Sequence, residues 1–285
     1  MRREADGLPV LQVALVQMNL TGTPDENLAA AHGYLRQAAD RGAHLALLPE
    51  LFPFPWFPVT EDATYFALAE PDSGPVLTRM REMAQDTGLY LAVPTYEAAD
   101  GRRFNTTYVV APTGAILFRY RKSHIPYHPG WFEKYYYEPG DLGFPVFHLN
   151  GLTIGIQTCW DNLFPEGSRI LGLKGVHVIL APRGTGDVSR PRWRTALMAN
   201  GLANNCYVVT VNRVGLEGGT YQFGGDSAAF DPEGEVVAAC GPEPGIAVAA
   251  IDSAAVDRSR SAWPFQYDRR PELYGALSAG GEPPR

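Results

Sequence analysis

Short runs of apolar residues alternate along the chain with stretches in which apolar positions return every three or four residues. Leu11 to Gln17 (LQVALVQ) is apolar on both faces and predicts a buried strand. Thr21-Gly22-Thr23-Pro24 predicts a turn and a helix start. The segment from there to Arg41 places Leu28, Ala31, Leu35 and Ala39 on one helical face. Leu45 to Pro49 predicts the next strand, which ends at Glu50. Pro75 to Asp86 predicts a helix closed by Gly88, and Leu89 to Thr95 returns as a strand.

Hairpin signals follow. Asn105 to Ala111, the turn Pro112-Thr113-Gly114 and Ala115 to Tyr120 form one; Val146 to Leu149, the turn Asn150-Gly151 and Leu152 to Gln157 form a second, which runs into Cys159. Phe164 to Leu173 and Arg192 to Asn204 predict helices, with strands at Val176 to Ala181 and Tyr207 to Asn212. Ser227 to Phe230 and Glu235 to Ala239 flank the turn Asp231-Pro232-Glu233-Gly234, and Ile246 to Ile251 is the last strand. Many strands with helices between them predict an α/β fold, its sheets covered by helices on one face and packed on each other by the other. No boundary, linker or repeat divides residues 1–285, so one domain is expected, with Ala279 to Arg285 frayed.

Composition agrees with a large core: 45% of residues are apolar and 19% charged. The net charge is −7 and the 24 basic residues are scattered, which argues against nucleic acid as a partner. No apolar run approaches the length of a membrane span, and Met1-Arg2-Arg3-Glu4-Ala5-Asp6 does not open a signal peptide, so a cytoplasmic protein is expected. Three cysteines, Cys159, Cys206 and Cys240, are too few for a disulfide framework and read as reduced thiols.

Glu50, Lys122 and Cys159 each lie just past a strand-like run, and side chains at strand ends converge on one rim. A thiolate attacks a carbonyl carbon, Glu50 supplies the base, and Lys122 with the backbone N–H after Cys159 faces the oxyanion. Lys122 is also expected to lower the thiol pKa, whereas apolar burial alone would raise it. Cys206 and Cys240 read as inert core or edge thiols. His124 and His128 are four apart, but Pro126 and Pro129 forbid a regular helix there, so no metal is expected.

The segments Leu48-Pro49-Glu50-Leu51-Phe52, Tyr120-Arg121-Lys122-Ser123-His124-Ile125-Pro126 and Thr158-Cys159-Trp160-Asp161, followed by Phe164-Pro165-Glu166, make the resemblance specific. So do Phe104-Asn105-Thr106, Glu138-Pro139-Gly140-Asp141, Gly143 to Phe147 and Asp268 to Tyr274. Over nearly its whole length the chain resembles the nitrilase superfamily of carbon–nitrogen hydrolases. That resemblance implies a four-layer α-β-β-α sandwich and puts base, lysine and nucleophile on Glu50, Lys122 and Cys159. A second glutamate that orients the lysine falls on Glu133. It implies no cofactor, a small-molecule substrate, and a homodimer or larger homo-oligomer using a C-terminal tail of about residues 256–285.

Within the superfamily the chain resembles the N-carbamoyl amidases. Those that act on amino acids hold the carboxylate with two arginines shortly after the nucleophile; here Asn162 and Leu163 stand there, which favours an amine or neutral substrate. Arg183 offers a carboxylate contact from another direction, and Asp187 lies in the same loop. Trp160, His124, Phe54 and Trp56 complete the expected substrate-binding set, with the Phe52 to Pro58 loop as an apolar wall and His124 orienting the lysine loop. An amidase or nitrilase of small aliphatic substrates, an N-carbamoyl amino acid amidohydrolase and a silent scaffold are the alternatives.

Overall fold

A computed structural model describes residues 9–219 and 221–279; the predicted frayed end lies outside them from Gly280 on. The first sheet contains β1 (Val10–Gln17), β2 (Leu45–Leu47), β3 (Tyr90–Ala99), β4 (Arg102–Val110) and β5 (Ile116–Arg121). The second is built from β6 (Val146–Leu149), β7 (Leu152–Ile156), β8 (Val178–Arg183) and β9 (Tyr207–Asn212). A separate hairpin, β10 (Val214–Glu217) and β11 (Tyr221–Gly224), follows. The hairpin strands β12 (Ala228–Phe230) and β13 (Val236–Ala239) join the second sheet, and β14 (Gly245–Asp252) returns to the first. The strand orders are β14-β1-β2-β3-β4-β5 and β13-β12-β9-β8-β7-β6.

Between the sheets lies a core fed by alternate residues: Leu11, Val13 and Leu15 from β1 meet Ile154, Ile156, Leu180, Val209 and Val211 from the second sheet. The residues between them point outward under helices. Ala14 and Val16 pack beneath α1 (Pro24–Asp40) and α2 (Pro75–Thr87), and Ile179, Ala181 and Val208 beneath α4 (Pro165–Leu173) and α5 (Arg190–Leu202). A short turn of helix, α3 (Glu133–Tyr136), stands near the site. The result is the four-layer sandwich expected. Both faces of these strands are covered, which is why they read as continuous apolar runs rather than alternating ones.

Local chemistry fixes the ends. Thr23 caps α1 by accepting from the Glu26 N–H at 3.3 Å, while Glu26 accepts from the Thr23 N–H at 2.8 Å, a reciprocal cap contributing about 1 kcal/mol. The apolar buried face of α1 is Leu28, Ala31, Leu35 and Ala38, and Ala39 sits at its edge, partly buried. Gly88 closes α2 at φ 70°, as its position predicted. Not foreseen were α3, the β10–β11 hairpin and α6 (Ser253–Ala262), which occupies the first part of the expected tail and buries Val256.

Candidate active site

Three strand ends bring the carboxylate of Glu50, the ammonium of Lys122 and the thiol of Cys159 together. Beyond β2 the chain turns at Leu51, whose φ is 58°, and Glu50 points inward. At the end of β5, Lys122 donates its N–H to Asn105 O at 2.9 Å, and Gly140 donates to Lys122 O at 2.8 Å. A Cβ on Gly140 would stand 2.2 Å from Arg121 O, so only glycine lets this segment lie against the strand carrying the lysine. Past β7, Cys159 itself adopts a φ of 46°, a left-handed conformation that costs a non-glycine residue about 1–3 kcal/mol and is found mainly where function holds it.

All three side chains are fully enclosed. The Lys122 ammonium donates to Glu50 Oε1 at 2.8 Å and to Glu133 Oε2 at 2.6 Å. Asn105 donates to the same Glu50 oxygen at 2.8 Å, which leaves Glu50 Oε2 buried without a hydrogen-bond partner among the described residues. That oxygen is the free acceptor a base requires. Glu133 turns its carboxylate wholly inward onto Lys122, while its neighbour Lys134 stays exposed.

Both influences expected on the thiol are present, and burial is the larger. Burial pushes the Cys159 thiol well above its ordinary value and the negative charge of Glu50 adds to it; Lys122 pulls the other way and loses. The resting group is therefore a thiol, not a stored thiolate. Burial alone pulls Lys122 down, but Glu133 and Glu50 outweigh it and keep the ammonium well above the usual lysine value. Burial also pushes Glu133 up to about 8, against the pull of Lys122 and with the charge of Glu50 behind it.

Asp161, fully buried, ties the cysteine turn to the lysine loop. One oxygen accepts from the His124 N–H and faces the His124 ring nitrogen, each at 2.8 Å; the other accepts from the Tyr120 hydroxyl at 2.7 Å and the Thr158 N–H at 3.1 Å. The His124 ring stacks on Phe164 with centroids 3.8 Å apart. His124 thus holds the lysine loop rather than standing free for substrate.

The sequence pattern of the carbon–nitrogen hydrolase family matches residues 12–261. The chain belongs to this family, within the nitrilase superfamily. It is 35% identical over 284 residues to N-carbamoylputrescine amidase of Solanum lycopersicum, covering 94% of this chain and 95% of the relative. It is 32% identical to citrullinase of Francisella tularensis subsp. tularensis (94% and 98% covered) and 36% identical to a nitrilase of Pyrococcus abyssi (93% and 99%). A carbon–nitrogen hydrolase of Helicobacter pylori G27 superposes with a TM-score of 0.90 at 28% identity, covering 95% of this chain and 99% of the other. A mutant of the amidase from Nesterenkonia sp. AN1, carrying the acetamide moiety of fluoroacetamide covalently on its active-site cysteine, superposes at 0.81 with 27% identity (95% and 98%). The protein is an enzyme that hydrolyses a C–N bond of amides or ureido compounds.

The remaining residues of this hydrolase's expected substrate set divide. Trp160 is half-buried beside His128, ring centroids 5.4 Å apart, and the rings continue through Trp131 to Tyr221. Phe54 and Trp56 are buried in the core: Trp56 donates to Gly130 O at 3.2 Å and lies so close to Gly184 that a Cβ there would sit 2.4 Å from its ring. They back the wall rather than form it. Arg183 departs from expectation altogether. Its Nε donates to Thr210 Oγ1 at 3.0 Å, Nη1 to Thr185 Oγ1, and Nη2 to Gly225 O at 3.2 Å and Asp226 O at 2.9 Å. Its guanidinium braces its own loop. Asp187, in the same loop, pairs with Arg190.

The contacts of Asn105 and Asp161, and the aromatic positions Trp131 and Tyr221, carried no assigned role in the sequence. Phe104-Asn105-Thr106 and Cys159-Trp160-Asp161 marked two of these places without saying what they do.

Proposed function

We propose that the protein hydrolyses an N-carbamoyl amine, giving the free amine, ammonia and carbon dioxide, with Cys159 as nucleophile, Glu50 as general base, and Lys122 and Glu133 as charge-positioning groups. The observation that carries the substrate class is the state of Arg183: each of its three nitrogens already donates to a protein oxygen. Asn162, at the other candidate position, is buried and donates to Gln157 O and Cys159 O. A substrate carboxylate entering without a cation partner costs several kcal/mol, on the order of a thousandfold or more in affinity. An alkyl chain or alkylammonium instead meets the rings of Trp160, His128, Trp131 and Tyr221. The names borne by the tomato relative and the citrullinase, both of ureido substrates, support a ureido carbon as the electrophile.

Because Cys159 rests as a thiol, attack on the ureido carbon is coupled to transfer of its proton to the free oxygen of Glu50. Lys122 faces the developing oxyanion. Glu50 then returns the proton to the departing ammonia, leaving a carbamoyl thioester. Water, deprotonated by Glu50, attacks that carbon; the thiol is released and the carbamate decomposes to amine and carbon dioxide. The protein acts as a cytoplasmic homo-oligomer in this reading, supported by three unpaired cysteines and an aromatic tail lying exposed on the single chain. Among the described residues no helix is long and apolar enough to cross a membrane.

The test compares kcat/KM for N-carbamoylputrescine, N-carbamoyl-β-alanine, N-carbamoyl-D-phenylalanine, a simple aliphatic amide and a nitrile on one preparation. The amine should lead. Either acid ahead by more than tenfold, about 1.4 kcal/mol, refutes the amine reading, and a dominant nitrile moves the enzyme to another branch of the superfamily.

A further inference from the structure

Two charged residues that the chemistry above does not use are enclosed beside the base. Arg213, directly after β9, is 0% exposed, and Glu217, at the end of β10, is 2% exposed. The Arg213 guanidinium donates from Nε to Glu50 O at 3.1 Å, from Nη2 to Leu51 O at 3.3 Å and to Phe54 O, and from Nη1 to Glu217 Oε2. The same Glu217 oxygen accepts the Trp56 N–H at 2.9 Å. The cation also lies over the rings of Trp56 and Phe223, 5.3 and 5.5 Å from their centroids. One ion pair therefore holds four backbone groups of the 50–56 loop, beginning with the carbonyl of Glu50 itself.

Stability alone does not account for this. Taking two charges out of water costs several kcal/mol per ion, and apolar residues of similar volume often serve a fold as well or better. What an apolar pair cannot supply is donors aimed at the carbonyls of a loop that has left its sheet and turns through a positive φ at Leu51. The preceding residue does the matching task for the opposite loop: Asn212 accepts from the Thr185 N–H and donates to Thr185 O, each at 3.0 Å, next to Gly184. Consecutive side chains at the end of β9 thus brace the loops on either side of the reacting groups.

We propose that Arg213 and Glu217 are a positioning pair that sets the Glu50 carboxylate against Cys159 and Lys122, a role that rests on Glu50 being the base. The pair touches no substrate; it acts through the backbone of the base. Its failure and the failure of the base assignment are separable by a double-mutant cycle.

The variants are Arg213→Lys, Glu217→Gln, Glu50→Gln and the double variant Arg213→Lys/Glu50→Gln, measured by ammonia release with circular dichroism melts alongside. Arg213→Lys and Glu217→Gln should remain folded and lose about tenfold or more in kcat while KM moves less than about threefold. In the Glu50→Gln background, Arg213→Lys should cost less than about twofold, because the group it positions is already gone. A fully active Glu50→Gln enzyme would defeat the base assignment. An impaired Glu50→Gln enzyme combined with an unaffected kcat in the single variants, an additive loss in the double variant, or loss of fold in both conservative variants would make the pair a plain strut and overturn the proposal.

Discussion

His124 and Asp161 meet twice: Asp161 Oδ1 lies 2.8 Å from both the backbone nitrogen and the ring Nδ1 of His124. Since Asp161 Oδ2 takes the Tyr120 hydroxyl and the Thr158 N–H, one buried carboxylate fastens the lysine loop to the turn that carries Cys159. Asp161→Asn presents an amide nitrogen to one of these donor groups, and each buried donor left unpaired costs about 1–3 kcal/mol. The expected outcome is a melting temperature several degrees lower and a fall in kcat exceeding any change in KM. An Asp161→Asn enzyme equal to wild type in both would show that the two loops hold themselves.

Cys159→Ala should abolish turnover, whereas Cys206→Ala and Cys240→Ala should leave it near wild type. Cys206 is wholly enclosed beneath α5 and Cys240 lies against Leu15 O, neither of them beside a base. Glu50→Gln keeps the shape but cannot take the thiol proton, and with no thiolate stored at rest it should slow turnover by roughly two to four decades. Iodoacetamide labelling followed by peptide mapping checks the order of reactivity. Labelling of Cys206 or Cys240 ahead of Cys159, with activity lost in step, would reassign the nucleophile.

Glu133 gives the stability of the fold a pH dependence whose sign can be worked out. Its folded pKa is raised to about 8, above the ordinary carboxylate value of the unfolded chain, so in between the folded state holds a proton that the unfolded state has lost. The stability it contributes is fully present below the ordinary carboxylate range and is lost as pH rises through about 8. Cys159 is raised as well, but its loss begins only above the ordinary thiol range, in a more alkaline window. Glu133→Gln removes the first titration and leaves the second. Melting temperatures between about pH 5 and pH 8 should fall less steeply in this variant than in wild type. Parallel curves would mean that the carboxylate is ionised throughout.

The sandwich and the convergence of Glu50, Lys122 and Cys159 were legible because each is written locally. Apolar runs of strand length bounded by turn residues specify the sheets, and Glu50, Lys122 and Cys159 each follow such a run. What was not legible depends on approach from distant parts of the chain. Arg183 reads as a free cation in a glycine-rich loop; only the fold brings Thr210, Gly225 and Asp226 to its nitrogens. The balance on the thiol was not legible for the same reason, since a neighbouring lysine is visible in sequence and complete burial beside two carboxylates is not. The β10–β11 hairpin escaped notice because its strands, VGLE and YQFG, each carry a glycine and neither forms an apolar run.

The C-terminal segment yields the last prediction. After α6 the chain leaves Trp263, Tyr267, Leu273 and Leu277 exposed, Tyr267 by 91%, while Phe265, Tyr274 and Leu277 border a groove of about 770 Å³ against α4 and α5. Ile170 and Leu173 of α4, which line the same groove, are exposed too. So many exposed large apolar side chains in one short segment beside a groove are uncommon on a chain that works alone, and each aromatic ring buried by a partner contributes about 1.5–3 kcal/mol to association. Light scattering on the purified protein should therefore report a dimer or larger assembly, and Tyr267→Asp combined with Leu277→Asp should shift it toward monomer. Neither residue lies among the reacting groups, so activity per chain in the double variant shows whether assembly matters to the site. A wild-type monomer at concentrations of order 10 μM, where a standard-sized interface holds, would remove the oligomer from the reading of this enzyme.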